Sequence, residues 1–118
     1  MLSQWNFNNS YLQLPKIFFS KTKPNQFSNL ELILKNQKLI DKLSLDRTKF
    51  DKFIVTSIND DKLDFYSQAY AGHQFGHFTM LGDGRAVLIG EHTTKSNKKF
   101  DIQFKGSGKT AFSRNGDG

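Results

Sequence analysis

The apolar positions of the chain change period along its length, and each change predicts a different kind of element. Leu30, Ile33, Leu34, Ile40 and Leu43 recur at near-helical spacing, with Leu32 and Leu39 widening the stripe. Ser28-Asn29-Leu30-Glu31 just ahead has the form of a capping box, in which a hydroxyl and a carboxylate satisfy the free amides of a first turn. The pattern predicts one amphipathic helix over residues 29–44. Residues 1–27 read as an extended, aromatic-rich lead-in, because Pro15 and Pro24 interrupt any helix. Lys52 to Ile58 is a short β-like run, closed by the turn signal Asn59-Asp60-Asp61.

The second half is more regular. Ala86-Val87-Leu88-Ile89 reads as a buried strand, Lys95-Ser96-Asn97-Lys98 as a polar turn, and residues 100–105 alternate apolar and polar. Together they predict an antiparallel hairpin. Phe100, Ile102 and Phe104 are expected to face a core, and Asp101, Gln103 and Lys105 to share the opposite face. The fold class expected is therefore α+β, a mainly antiparallel sheet with the 29–44 helix packed against it. Four of the last thirteen residues are glycine, and the chain ends on Gly116-Asp117-Gly118 with no element to close against. This predicts a chain that stops inside a longer protein.

Composition narrows the picture. Apolar residues make up 36% of the 118, below the ~45–50% usual for a globular domain. Twelve Phe residues offset part of the deficit, because each buried ring removes a large apolar area from water. Cysteine is absent, which excludes disulfides, a thiolate nucleophile and Cys-ligated metal. No apolar run approaches the ~20 residues a membrane helix requires, and Met1 to Ser10 has neither signal-peptide nor transit-peptide character. The expectation is cytoplasmic, with no membrane partner. The net charge of +6 could suit a polyanion. Its excess lies in residues 1–50, where eight basic side chains meet three acidic ones, and no nucleic-acid motif accompanies it. A solvated face, and no nucleic-acid partner, is the expectation.

Four clusters could carry chemistry. Gly82-Asp83-Gly84-Arg85 leads into a strand; glycines let backbone amides approach an anion, and Arg can bridge phosphate oxygens. By itself Gly-Asp-Gly is most often only a turn. Lys105 follows on the polar face of the next strand, and a glycine turn, a strand, a hairpin and a strand bearing one Lys is the layout of a kinase nucleotide lobe. The full kinase glycine loop is absent. Gly106-Ser107-Gly108-Lys109-Thr110 imitates the end of a Walker loop, but Gln103 stands where the first glycine is needed and no helix pattern follows. His73 and His77, four apart, could bind zinc on a helix, yet Gly76 weakens a helix there and no third ligand is obvious.

Taken together, Tyr70-Ala71-Gly72-His73-Gln74-Phe75-Gly76, Leu81-Gly82-Asp83-Gly84-Arg85-Ala86, Gln103-Phe104-Lys105-Gly106-Ser107-Gly108, Ser113-Arg114 and Gly116-Asp117-Gly118 form one ordered set. In order and spacing it is similar to the selenoprotein O (SelO/YdiU) family of protein adenylyltransferases. Trp5 to Tyr11, followed by Leu14-Pro15, resembles the opening of that family. The resemblance implies part of a protein-kinase-like (pseudokinase) fold that transfers AMP from ATP to protein Ser, Thr or Tyr hydroxyls. ATP would lie flipped relative to ordinary kinases, against Gly82, Gly84, Arg85, Lys105, Asp117 and Gly118. It also implies a division into an N-terminal extension, 1–68, and the start of a nucleotide-binding lobe, 69–118. The family's catalytic base, its magnesium ligands and the acidic partner of Lys105 match no residue here. The expectation is thus ATP contacts without catalytic residues or metal ligands, and a chain inactive alone. The alternative is a non-catalytic nucleotide- or polyanion-binding module.

Overall fold

A computed structural model describes residues 5–60, 63–74 and 77–118. Among the described residues the fold is α+β, with an antiparallel sheet and two short α-helices. The strands are β1 (Phe19–Lys21), β2 (Tyr66–Gln74), β3 (His77–Gly82), β4 (Ala86–Thr93) and β5 (Lys99–Lys105), and the helices are α1 (Gln37–Lys42) and α2 (Arg47–Ser57). β2 is the organiser. Its first residues pair with β1 (Phe19 opposite Gln68) and with β4 (Tyr66 opposite Leu88), and its remainder pairs with β3 from Ala69–Gly82 to Gln74–His77. β3 and β4 therefore run in line along β2, and Asp83, Gly84 and Arg85 are looped out between them.

The expected hairpin is present. β4 and β5 pair from Ala86–Lys105 to Thr93–Lys99, with an irregularity between Leu88 and Gly90. The polar turn closes through Thr94 N–H, which donates to the Lys98 carbonyl (2.8 Å), while Asn97 takes a left-handed φ of 64°. Asn tolerates that conformation better than most side chains. Phe100, Ile102 and Phe104 are half-buried against the core and alternate with exposed Asp101, Gln103 and Lys105.

Two adjoining clusters of buried residues pack on the sheet face that carries Phe100, Ile102 and Phe104. Leu63, Phe65, Val87 and Ile89 form one; Trp5, Ile40, Leu43, Leu45 and Phe53 form the other. Trp5 stacks on Phe7 (5.2 Å between centroids) and meets Phe53 (4.8 Å) and the edge of His92 (5.0 Å). The His92 ring is locked at both nitrogens. Asn6 N–H donates to Nδ1 (3.1 Å), so Nε2 carries the hydrogen and donates to the Leu43 carbonyl (2.7 Å). One buried imidazole thus joins the lead-in, the helices and the sheet.

The helical reading of residues 29–44 requires correction. The capping box starts no helix, and residues 30–36 have no regular secondary structure. Helix α1 begins only at Gln37, where the Asn36 side chain accepts from Leu39 N–H (3.1 Å). Ile33 and Leu34 are 93% and 87% exposed, whereas Ile40 and Leu43 are buried. The segment is instead tied alongside α2 at both ends. The Asn59 amide pairs with the N–H and C=O of Phe27 (3.2 and 2.9 Å), and Lys35 pairs with Asp51 (3.0 Å). The β-like run 52–58 is also corrected, since it lies largely within α2. Asp46 caps that helix by accepting from Thr48 N–H (2.8 Å). Phe50, Phe53, Ile54 and Ser57 then fall on one helical face turned to the interior. A second helix stands where none was expected. The lead-in contains 3-10 turns at Ser10–Gln13 and Lys16–Phe18 and strand β1, so it is not extended throughout.

Candidate functional site: two clefts around a looped-out glycine turn

The looped-out residues Asp83–Arg85 sit where β3 gives way to β4, and two backbone pairings hold the loop's ends. Asp83 N–H donates to the Gln68 carbonyl (2.8 Å), and the Asp83 carboxylate accepts from Gln68 N–H (3.1 Å). On the other flank the Arg85 carbonyl accepts from Gly106 N–H (2.8 Å), just past the end of β5. The turn is therefore tied to β2 on one side and to β5 on the other.

A cleft opens on each side of it. The first, about 380 Å³, is lined by Tyr70, Asp83, Gly84, Arg85, Ala86, Gln103 and Lys105. The second, also about 380 Å³, is lined by Gly84, Arg85, Ser113, Gly116, Asp117 and Gly118. Both volumes fall in the roughly 300–1,000 Å³ range of small-molecule sites. Arg85 and Lys105 are exposed, and among the described residues neither is paired with a carboxylate. An unpaired guanidinium and an unpaired ammonium beside one cavity suit a ligand with several negative oxygens.

Five of the six residues expected at the site are thus gathered around the clefts. Gly84 and Arg85 border both, Lys105 borders one, and Asp117 and Gly118 border the other. Gly82 lines neither. A Cβ built on it would run into the Phe112 ring, and one on Gly84 would meet the Phe112 carbonyl oxygen at 2.9 Å. These glycines make room for the chain's own C-terminal loop. The Walker-like stretch Gly106–Thr110 opens no helix, and the residues after it form turns. Phe75 and Gly76, and the side chains of residues 71–80 including His73 and His77, lie outside the described residues, as does Asp61 of the turn signal.

The face bearing Lys105 continues into an acidic pair. Glu91 and Asp101 stand opposite each other across β4 and β5. Partial desolvation, and then the neighbouring Glu91, holds the Asp101 carboxyl above its ordinary value. Glu91 accepts from Ser10 Oγ (2.6 Å), which ties the lead-in over this face. Tyr11 stacks on Tyr66 (5.9 Å) there, and its hydroxyl donates to the Ala69 carbonyl (3.3 Å). Burial, with Asp83 nearby, raises the Tyr11 hydroxyl above its usual value.

Comparison with known proteins decides what kind of chain this is. The sequence matches the family described as protein adenylyltransferase SelO over residues 1–118. The chain belongs to the SelO family. It is 52% identical over 127 aligned residues to the protein nucleotidyltransferase YdiU of Pelagibacter ubique, covering 97% of this chain and 25% of that protein. It is 48% identical to the protein of the same name from Shouchella clausii (98% and 25%), and 49% identical to that from Clostridium perfringens (97% and 24%). The chain spans about a quarter of the length of these curated relatives. Among the described residues no helix is long and apolar enough to cross a membrane.

Tyr70, Thr110 and Phe112 carry the site's shape but were not among the residues expected to form it. A Thr and a Ser three apart, flanking an aromatic, is the mark of a hydroxyl-stabilised turn. That signal was available at Thr110–Ser113.

Proposed function

We propose that this chain supplies ATP contacts for a protein adenylyltransferase, the AMP passing to hydroxyl side chains of substrate proteins. In this reading residues 69–118 begin a kinase-like nucleotide lobe, residues 1–68 precede it, and the source of the AMP is ATP carried with magnesium. The carrying observation is the pair of unpaired cations, Arg85 and Lys105, at one cleft of about 380 Å³. Membership of the SelO family supports a nucleotide as the ligand.

The residues fit a triphosphate. Arg85 can bridge two phosphate oxygens with its planar fork, and Lys105 offers a movable point charge from β5. Because Arg85 borders both clefts, it can hold the phosphate chain where it passes from one to the other. Asp117 and Gly118 close the second cleft beside it. Among the described residues no group of three His, Asp or Glu side chains stands together as a metal site. Magnesium would be held by the nucleotide's own oxygens and by further ligands outside the described residues. It would offset the charge that builds on the phosphates during transfer. The chain's own part is to bind and orient, so the purified 118 residues are expected to bind ATP without transferring AMP.

Titration of labelled protein with ATP, followed by NMR, tests this. The reading expects saturable shifts of the amides at 84–86, 103–106 and 116–118, with residues 30–42 unmoved. Shifts scattered over the basic N-terminal half, with equal response to unrelated polyanions, would favour a polyanion-binding module instead.

A further inference from the structure

The C-terminal loop does more than border the second cleft. Thr110 Oγ1 donates to the Asp83 carbonyl (2.5 Å), and Ser113 Oγ donates to the Gly84 carbonyl (2.7 Å). The same two hydroxyls also fold their own loop. Thr110 N–H donates to Ser113 Oγ (2.7 Å), and Phe112 N–H donates to Thr110 Oγ1 (3.0 Å). Between them the Phe112 ring lies on Gly82, so closely that a methyl group there would overlap it. Two successive carbonyls of the glycine turn are thus held by side chains about 27 and 29 residues away in sequence.

We propose that Thr110, Phe112 and Ser113 are positioning residues, a clasp that fixes the Gly82–Arg85 turn so that Arg85 serves both clefts. Without it the turn would be tied only at its two ends, to Gln68 through the Asp83 amide and carboxylate and to Gly106 through the Arg85 carbonyl. A looped-out segment held only at its ends samples many conformations, and each is an entropic cost that ligand binding has to meet. The clasp also gives Gly82 its reason. That position is glycine because Phe112 covers it, whereas close approach of a phosphate would be the ordinary reason for a glycine in such a turn. The clasp stands on the chain's own hydrogen bonds. Only its effect on affinity rests on the ATP reading above.

A double-mutant cycle separates the possibilities. Gly82→Ala, Phe112→Ala and the double variant are compared by amide hydrogen exchange at 83–86, by thermal midpoint, and by ATP titration. The clasp predicts that Gly82→Ala alone speeds exchange across the turn and weakens ATP binding about tenfold, as an overpacked contact would. In the Phe112→Ala background the same substitution should have almost no further effect. Additive losses would overturn the proposal, because Gly82 would then serve something other than Phe112. Should Gly82→Ala not fold, Ser113→Ala and Ser113→Thr provide the second route. Loss of turn protection and affinity with Ala, both restored with Thr, supports the clasp; unchanged protection in Ser113→Ala overturns it. If the parent chain binds no ATP, the ATP reading fails, while the exchange data still decide the clasp.

Discussion

Residues 27–36 and the two strands of the β4–β5 hairpin have about the same share of apolar positions, yet they end in opposite environments. Val87, Leu88 and Ile89 of the hairpin are 1% exposed, while Ile33 and Leu34 of the other stretch stand almost wholly in solvent. The difference lies in what closes each segment. The hairpin's pattern is completed by its own turn, where Thr94 and Lys98 bond locally and Asn97 supplies the left-handed residue. The 27–36 stretch has no such local closure. Its ends are fixed from outside, by Asp51 of α2 and by Asn59 just beyond that helix. A periodic apolar pattern marks what could be buried, and the tertiary anchors decide whether it is.

The largest expected effect sharpens this contrast. Phe53 is buried against Trp5, so Phe53→Ala should destabilise the chain by about 3–5 kcal/mol in denaturant unfolding. Ile33→Ala or Leu34→Ala should change stability by less than about 0.5 kcal/mol. Comparable losses at positions 33 and 53 would mean that the exposed stretch is packed in solution.

A smaller effect concerns Tyr66, buried with its hydroxyl unpartnered among the described residues. Burial first, then Glu91 and Asp101, pushes its pKa from 10.0 up to about 12. The folded state therefore favours the neutral hydroxyl. Below pH 10 the group is neutral in both folded and unfolded chains, and its contribution is fully present. It is lost as pH rises from about 10 toward 12, by on the order of 2 kcal/mol. Tyr66→Phe should flatten that part of the stability–pH curve and cost little at neutral pH, because no hydrogen bond is removed. A curve as steep as the parent's would assign the loss to other groups.

The smallest effect tests where the first helix starts. Asn36→Ala should cost about 1 kcal/mol by removing the cap of α1. Ser28→Ala, in the capping box that caps nothing, should be neutral by the same measurement.

The hairpin and the polar face carrying Lys105 were legible because both are local: a two-residue alternation and a nearby turn. The strands β2 and β3 were not. Tyr66 to Gln74 contains Ser67, Gln68, Gly72, His73 and Gln74, a composition with little strand character of its own. Pairing with three other strands makes it the centre of the sheet. Helix α2 was hidden by the β-branched run Ile54-Val55-Thr56, although Asp46 and the 50/53/54/57 spacing carried the helical signal. At the candidate site, the residue types at Arg85, Lys105 and Asp117 were visible in sequence. The reason for Gly82 was not, because its neighbour Phe112 comes thirty residues later and reaches it only through the fold.

The central claim, that this chain carries a preformed set of ATP contacts, is tested most directly by calorimetric titration of ATP into the 118-residue protein, with and without magnesium, alongside Lys105→Ala. The account predicts saturable one-site binding that Lys105→Ala weakens while leaving the thermal midpoint unchanged. Absence of binding by a chain that melts cooperatively, or binding indifferent to Lys105→Ala, would contradict it.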